Sequence, residues 1–267
     1  SDGVEAYLGF APRAAEYQIR VASDKLTVCA EPLGSDYTVT VNGQIVSGES
    51  EIDAQDFAVT VAAGGQSQTY QVSVTQLEPV YVTVRHDADV TVEVRNQADA
   101  AIAPARTDTY RLVPGEPYTY IATKGGEYHA AAAFTAAQDL TVTAATPVAQ
   151  PWLTKLQFAA AGYAEAPVEE PYDIEPAFTP ENRDYRVPVS DCNITAYVWA
   201  DTPEDGVDIR GHYVRFLTQK SQSYPIKPGD QRGSNMSGLL SYSGSGNDLT
   251  IRAEKTEGDV TYYQEYR

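Results

Sequence analysis

Apolar residues recur at every second position in short runs along this 267-residue chain. Tyr17-Ile19-Val21, Leu26-Val28-Ala30, Val39-Val41, Phe57-Val59-Val61 and Tyr70-Val72-Val74 each give an extended segment one apolar face. Val80-Val82-Val84, Val90-Val92-Val94 and Leu140-Val142 alternate in the same way. No segment carries a long stripe at helical spacing. The nearest is A-A-A-A-F-T-A-A at 130–137, and its place between Tyr128 and the Leu140-Val142 alternation predicts strand and loop. Asn42-Gly43 lies between two alternating runs and predicts a two-residue hairpin turn. Several short strands in about 75 residues, with turn residues every 8 to 12 or so, predict an antiparallel sandwich. The expected fold class is all-β, arranged as three tandem small antiparallel β-sandwich domains.

One phrase occurs twice. F-A-P-R-A-A-E-Y-Q-I-R-V at 10–21 returns as F-T-P-E-N-R-D-Y-R-V-P-V at 178–189, an offset of 168. At that offset Leu26-Thr27-Val28 falls on Ile194-Thr195-Ala196, and V-T-V-N-G-Q-I-V (39–46) falls on V-D-I-R-G-H-Y-V (207–214). Later, F-A-V-T-V-A (57–62) matches L-T-I-R-A-E (249–254) at an offset of 192, so the second copy carries 24 extra residues between Val214 and Leu249. A period this long means tandem domains and not a solenoid. The expected division is 1–77, 78–149 and 150–267. The joints Q-L-E-P (76–79) and T-P-V-A-Q-P (146–151) are proline-containing and favour stiff, extended linkage.

The pattern F-x-P-x3-[ED]-Y-x-[IV]-x-V, then V-x-V-N-G and a closing T-Y-x-V-x-V, resembles the cadherin-like β-sandwich domain of bacterial cell-surface proteins. The match covers nearly all of 5–76 and, with its extra segment and the V-E-E-P-Y-D-I-E-P that precedes Phe178, 150–267. In the middle, T-D-T-Y-R-L-V-P-G-E-P-Y-T-Y-I-A-T (107–123) followed by Gly126-Glu127-Tyr128 is similar to PEGA-type surface modules. The resemblance implies Ig/cadherin-like domains serving as spacer or adhesion elements in a secreted, multidomain protein, extracellular or on the cell surface of a Gram-positive bacterium. It brings no catalytic residues and no cofactor. The partners it implies are a cell-surface or dietary glycan, or another surface protein.

Charge narrows the partners further. A formal charge of −18 argues against nucleic acid and against direct contact with an anionic membrane, because both need a dense basic footprint. No apolar run approaches the roughly 18 residues of a membrane span, and S-D-G-V-E-A-Y at the start does not read as a signal peptide. Cys29 and Cys192 fall at non-equivalent positions of the repeat and are expected as free thiols.

Catalytic and metal-binding patterns are not found. The three histidines (His86, His129, His212) lack zinc-ligand spacing. His86 with Asp87 and Asp89 could hold an oxygen-loving cation or be simply solvated, and the acidic loop of Asp201, Glu204, Asp205 and Asp208 lacks a Gly-centred calcium-loop spacing. No G-x-S-x-G elbow occurs. The chain is read as no enzyme, with no cofactor and no metal. Lys155 and Asn247, near the first and last strands of the second module, are either an isopeptide pair or an ordinary lysine and amide.

The most distinctive segment is a basic island, Arg210, Arg215, Lys220, Lys227 and Arg232, opposed only by Asp230 and interleaved with His212, Tyr213, Phe216 and Tyr224. The strand before it alternates so that Tyr197 and Trp199 share one face, where the first module has Cys29 and Glu31. Tyr197, Trp199, Arg210, His212, Tyr213, Arg215, Phe216, Lys220 and Tyr224 are therefore the candidate ligand-binding residues. On one reading the aromatic pair stacks on sugar rings beside cations for acidic groups. On the other the inserted loop folds over the pair and buries it as a small core.

Overall fold

The computed structural model describes residues 14–30, 34, 36–148, 152–161, 172–188, 195–215, 220–237, 239 and 247–267. These residues form an all-β structure of several sheets and contain no helix. The strands in chain order are β1 (Glu16–Val21), β2 (Lys25–Ala30), β3 (Thr38–Val41), β4 (Gln44–Val46), β5 (Gly48–Asp53), β6 (Phe57–Ala63) and β7 (Gln66–Gln76). Then come β8 (Val80–Arg85), β9 (Val90–Arg95), β10 (Ala101–Ile102), β11 (Thr109–Leu112), β12 (Pro117–Lys124), β13 (Tyr128–Thr135) and β14 (Leu140–Thr143). The last seven are β15 (Lys155–Ala161), β16 (Thr195–Asp201), β17 (Asp208–Arg215), β18 (Lys220–Ile226), β19 (Ser234–Ser237), β20 (Leu249–Glu257) and β21 (Val260–Tyr266). The alanine-rich stretch is accordingly β13 and the residues after it. By contacts the chain divides into two compact units, 1–87 with 92–121 and 132–144, and 88–91 with 122–131 and 145–267.

In the first unit, a five-stranded sheet of order β1-β7-β6-β3-β4 and the β2–β5 pair enclose one core. The alternation decides which residues enter it. Tyr17, Ile19 and Val21 of β1 are buried while Glu16, Gln18 and Arg20 face out, and Val41, Phe57 and Val72 meet them from β3, β6 and β7. Each such side chain taken from water contributes on the order of 1.5–3 kcal/mol. Asn42 and Gly43 both have positive φ (49° and 80°) and connect Val41 to its register partner Gln44, the hairpin predicted from the sequence. The same unit holds β8 between β11 and β14, with Val82, Val84 and Leu112 fully buried.

The second unit repeats this plan. Its sheet order β21-β20-β17-β18 corresponds to β7-β6-β3-β4, and β16 pairs with β19 as β2 pairs with β5. β15 and β16 bring Leu156, Phe158, Ala196, Val198 and Ala200 to the core, where they meet Ile209, Tyr213, Ile226, Ile251, Ala253 and Tyr266. The repeated phrase does the same local work in both copies. The Tyr17 hydroxyl donates to Ala14 O (3.1 Å), and the equivalent Tyr185 hydroxyl lies 3.0 Å from the equivalent Asn182 O.

The closing hairpin sits two residues away from where the sequence match puts it. Ala63 pairs with Gln66 across Gly64-Gly65, and Glu257 pairs with Val260 across Gly258-Asp259, an offset of 194 and not 192. A slip of two preserves the face on which every side chain lies, so alternation fits either register. The extra length starts inside the hairpin. Val41 pairs with Gln44 in the first copy, whereas Ile209 pairs with Ile226 in the second. Gly211, which aligns with the turn residue Gly43, therefore lies within β17, where the Met236 side chain packs against its bare Cα. A Cβ there would lie 2.3 Å from Met236 Cε.

Candidate functional site

Tyr197 and Trp199 follow from the alternation of β16. Ala196, Val198 and Ala200 enter the core, so the two aromatics share the outer face of the β15-β16-β19 sheet. Their ring centroids are 6.4 Å apart. That face is covered. Tyr197 is only 8% exposed and its hydroxyl accepts from Asn235 Nδ2 at 3.2 Å, while Trp199 is half-buried. Gly233 lies against the indole, since a Cβ built on it would come within 2.5 Å of Trp199 Cε2. Asn235 belongs to β19, which lies beside β16 in the same sheet with Asn235 opposite Tyr197, so the segment after the basic island flanks the aromatic pair from the neighbouring strand.

The remaining candidates divide between two faces of the other sheet. Along β17, Ile209, Gly211 and Tyr213 are buried and Arg210 and His212 point outward. Tyr213 is 4% exposed, stacks on half-buried Tyr224 at 5.9 Å, and donates its hydroxyl proton to Ser237 O at 2.9 Å. It belongs to the core and has no surface for a ligand. Arg210 pairs with Asp208 at 3.0 Å. Lys220, Lys227 and Arg232 are exposed, Arg215 is at the end of β17, and Phe216 lies outside the described residues. Tyr197 and Trp199 on the outer face of one sheet and Arg210 and His212 on the outer face of the other are not brought together, because the two sheets share a core through their inner faces and their outer faces point away from each other.

What the outer face of that sheet does assemble escaped the sequence reading. Tyr263 of β21 has His129 of β13 on one flank, rings stacked at 4.7 Å, and Arg252 of β20 on the other, its guanidinium 3.6 Å from the ring centre. Arg252 also bonds Glu254 at 2.7 Å and reaches Glu265 at 3.9 Å. His212 lies on the same face, with Nε2 buried and without a hydrogen-bond partner among the described residues. Burial, reinforced by Arg252, holds both His129 and His212 below the usual histidine range. The only sequence signal for this cluster is alternation combined with register, and register is a property of the pairing.

A second node lies at the start of the repeated phrase. Arg183, with a side chain 10% exposed, sits over the rings of Tyr266 (4.7 Å) and Tyr128 (5.9 Å), 3.7 Å from Glu127, and donates to Pro180 O and Asn182 O. Beside it, Gln264 Oε1 accepts from Trp152 N–H (3.1 Å) and Tyr266 hydroxyl (2.7 Å), and Tyr266 oxygen accepts Leu153 N–H at 3.2 Å. This polar network ties Trp152 and Leu153, at the entry to β15, to the last strand, β21.

Cation chemistry finds no centre: no group of three or more His, Cys, Asp or Glu able to hold a metal occurs among the described residues. His86 is 3.1 Å from Asp108, and Asp89 is 3.0 Å from Lys124. Lys155 lies 3.9 Å from Asp201, and the Asn247 amide donates to Val214 O and Leu239 O. Cys29 is an exposed free thiol, while Cys192 lies outside the described residues. In the first unit a cavity of about 370 Å³ is lined by Gln18, Arg20, Asn96, Gln97, Glu116 and Tyr118, but Arg20 and Glu116 pair with each other there at 3.0 Å.

No family profile and no curated protein sequence matches the chain. Among solved structures it is similar to the extracellular domains 3–5 of Drosophila OTK, at 9% identity over 98% of this chain and 96% of that one, with a TM-score of 0.16. At that TM-score the likeness carries no argument about fold or function.

Proposed function

We propose that this chain is a non-catalytic extracellular spacer and adhesion segment of a bacterial surface protein, made of tandem Ig/cadherin-like sandwich domains at 1–77, 78–149 and 150–267. The observation that supports it most is the reuse of one module: the same strand order occurs twice, and Tyr17 and Tyr185 close the same local turn in each. Duplication of an all-β unit adds length without adding a reaction centre. The large aromatics that set the second copy apart are spent on packing, Tyr213 in the core and Tyr197 buried beside Asn235 of the neighbouring strand β19. The net charge of −18 suits a solvated surface segment. Antibodies raised against the folded chain test the reading on cells of the source bacterium. Labelling of intact cells is expected, and labelling that requires lysis would overturn it.

A further inference from the structure

In the first two stretches of this chain, 1–77 and 78–149, the strands that begin and end the stretch are neighbours, and they run parallel. β1 pairs with β7 in parallel over six residue pairs, from Glu16–Gln71 to Val21–Gln76. The ladder is bounded by Gln71 N–H donating to Ala15 O and Leu77 N–H donating to Val21 O, both at 2.8 Å. β8 pairs with β14 in parallel from Val82–Leu140 to Arg85–Thr143, followed by Ala144 N–H to Arg85 O at 2.8 Å. In the last stretch the first strand, β15, pairs antiparallel with β16 and not with β21. Only the irregular residues 183–185 meet Arg267 in the alternation of a parallel pair, Tyr185 N–H donating to Arg267 O and Arg267 N–H to Arg183 O, each at 2.6 Å. Antiparallel sandwiches need no such arrangement, and most other ladders here are antiparallel.

The mechanical consequence follows from geometry. Where first and last strands are parallel neighbours, the chain enters at one end of the pair and leaves at the other. Tension on the chain then acts along the strands and stretches all the ladder hydrogen bonds together. Antiparallel neighbours would bring both attachments to one end and break the bonds one after another. Each bond contributes only about 1 kcal/mol to equilibrium stability, but resistance to force is governed by the unfolding barrier, which simultaneous loading raises. We infer that this chain carries mechanical load: the parallel pairs β1–β7 and β8–β14 are shear clamps that keep their stretches folded while the chain is pulled from its ends. The inference rests on the spacer reading above and adds to it a task, transmitting tension between whatever the two ends are joined to.

The test is single-molecule stretching of the full chain with Cys29 and Cys192 changed to Ser and tethers placed on single introduced cysteines. Tethers at Ala14 and Glu78 load β1 against β7 in shear. Tethers at Gln55 and Glu78 pull on neighbouring ends of the β6–β7 hairpin and peel it. The same sandwich, releasing about 200 Å of chain between the first pair of tethers and about 80 Å between the second at roughly 3.5 Å per residue, is expected to open at a clearly higher force in the first geometry. Ser73→Pro supplies a second readout. The two-residue period from Gln71 to Leu77 aims the Ser73 N–H at β1 while its side chain is exposed, so proline deletes one clamp bond. It should lower the shear force toward the peeling value. Equal forces in the two tether geometries overturn the clamp and leave the cell-labelling result untouched. A geometry-dependent force from a chain that labels only lysed cells keeps the clamp and overturns the spacer reading.

Discussion

Gly233→Ala tests whether the segment after the basic island truly packs against the aromatic pair. Gly233 has φ of 70°, and its missing Cβ would stand 2.5 Å from Trp199 Cε2 and 2.8 Å from Cδ2 and Cζ2. Carbon atoms in contact normally sit about 3.5–4.0 Å apart, so the indole or the loop must give by roughly 1 Å. The left-handed backbone costs an alanine about 1–2 kcal/mol, and overpacking against a rigid ring adds about 1–3 kcal/mol. The expected loss is about 2–5 kcal/mol, toward the lower end because Trp199 is only partly buried and its ring can shift toward solvent. Urea denaturation followed by tryptophan fluorescence measures it. A double-mutant cycle with Trp199→Ala separates the two causes, since without the indole only the backbone cost of about 1–2 kcal/mol should remain. A loss below about 0.5 kcal/mol, or the same loss in both backgrounds, would refute the packing of Gly233 on Trp199.

Histidine burial predicts a pH dependence. With the folded values of His129 and His212 lowered by burial, the unfolded chain binds more protons below its ordinary value near 6.5 or so, so stability should fall as pH drops through that value and be flat above it. Denaturation midpoints taken on both sides of this window should show a smaller drop for His129→Gln/His212→Gln, and an unchanged slope would sink the assignment. Tyr185→Phe removes the hydroxyl that reaches Thr179 O (2.5 Å) and Asn182 O (3.0 Å), and Tyr17→Phe removes the hydroxyl that donates to Ala14 O. The expected costs in urea titrations are about 1–2 and about 0.5–1 kcal/mol, and a neutral Tyr185→Phe would show the repeated tyrosine is not closing a turn. In a glycan array probed with the intact chain and with Trp199→Ala, we expect no binding that depends on Trp199, because Tyr197 and Tyr213 are already buried. Binding lost in a still-folded Trp199→Ala protein would reinstate a sugar platform.

Local physics made much of the fold readable. Alternation such as Tyr17-Ile19-Val21 announces a strand because a period of two is a property of one extended segment alone, and those residues are indeed buried. Asn42-Gly43 announces its turn because both positions need positive φ. The duplication was legible because identical local demands, such as the tyrosine closing onto the residue three before it, were written twice. The tertiary structure decided everything that depends on a partner strand. Arg210-Gly211 aligns with a turn yet runs through β17, because the added residues give that strand a longer partner in β18 and a methionine from β19 to fill the space above the glycine. Alternation put Tyr197 with Trp199 but could not say that β19 would lie alongside them with Asn235 and Gly233 against their rings, nor that His129, Tyr263 and Arg252 from three separate strands would stack. It left the closing hairpin free to slip by two, and it gave no hint that β1 and β7, or β8 and β14, run parallel. A period of two tells each strand which residues share a face. Which face is covered, and which neighbour lies alongside in which direction, is settled only when distant segments compete for the same edge and the same core.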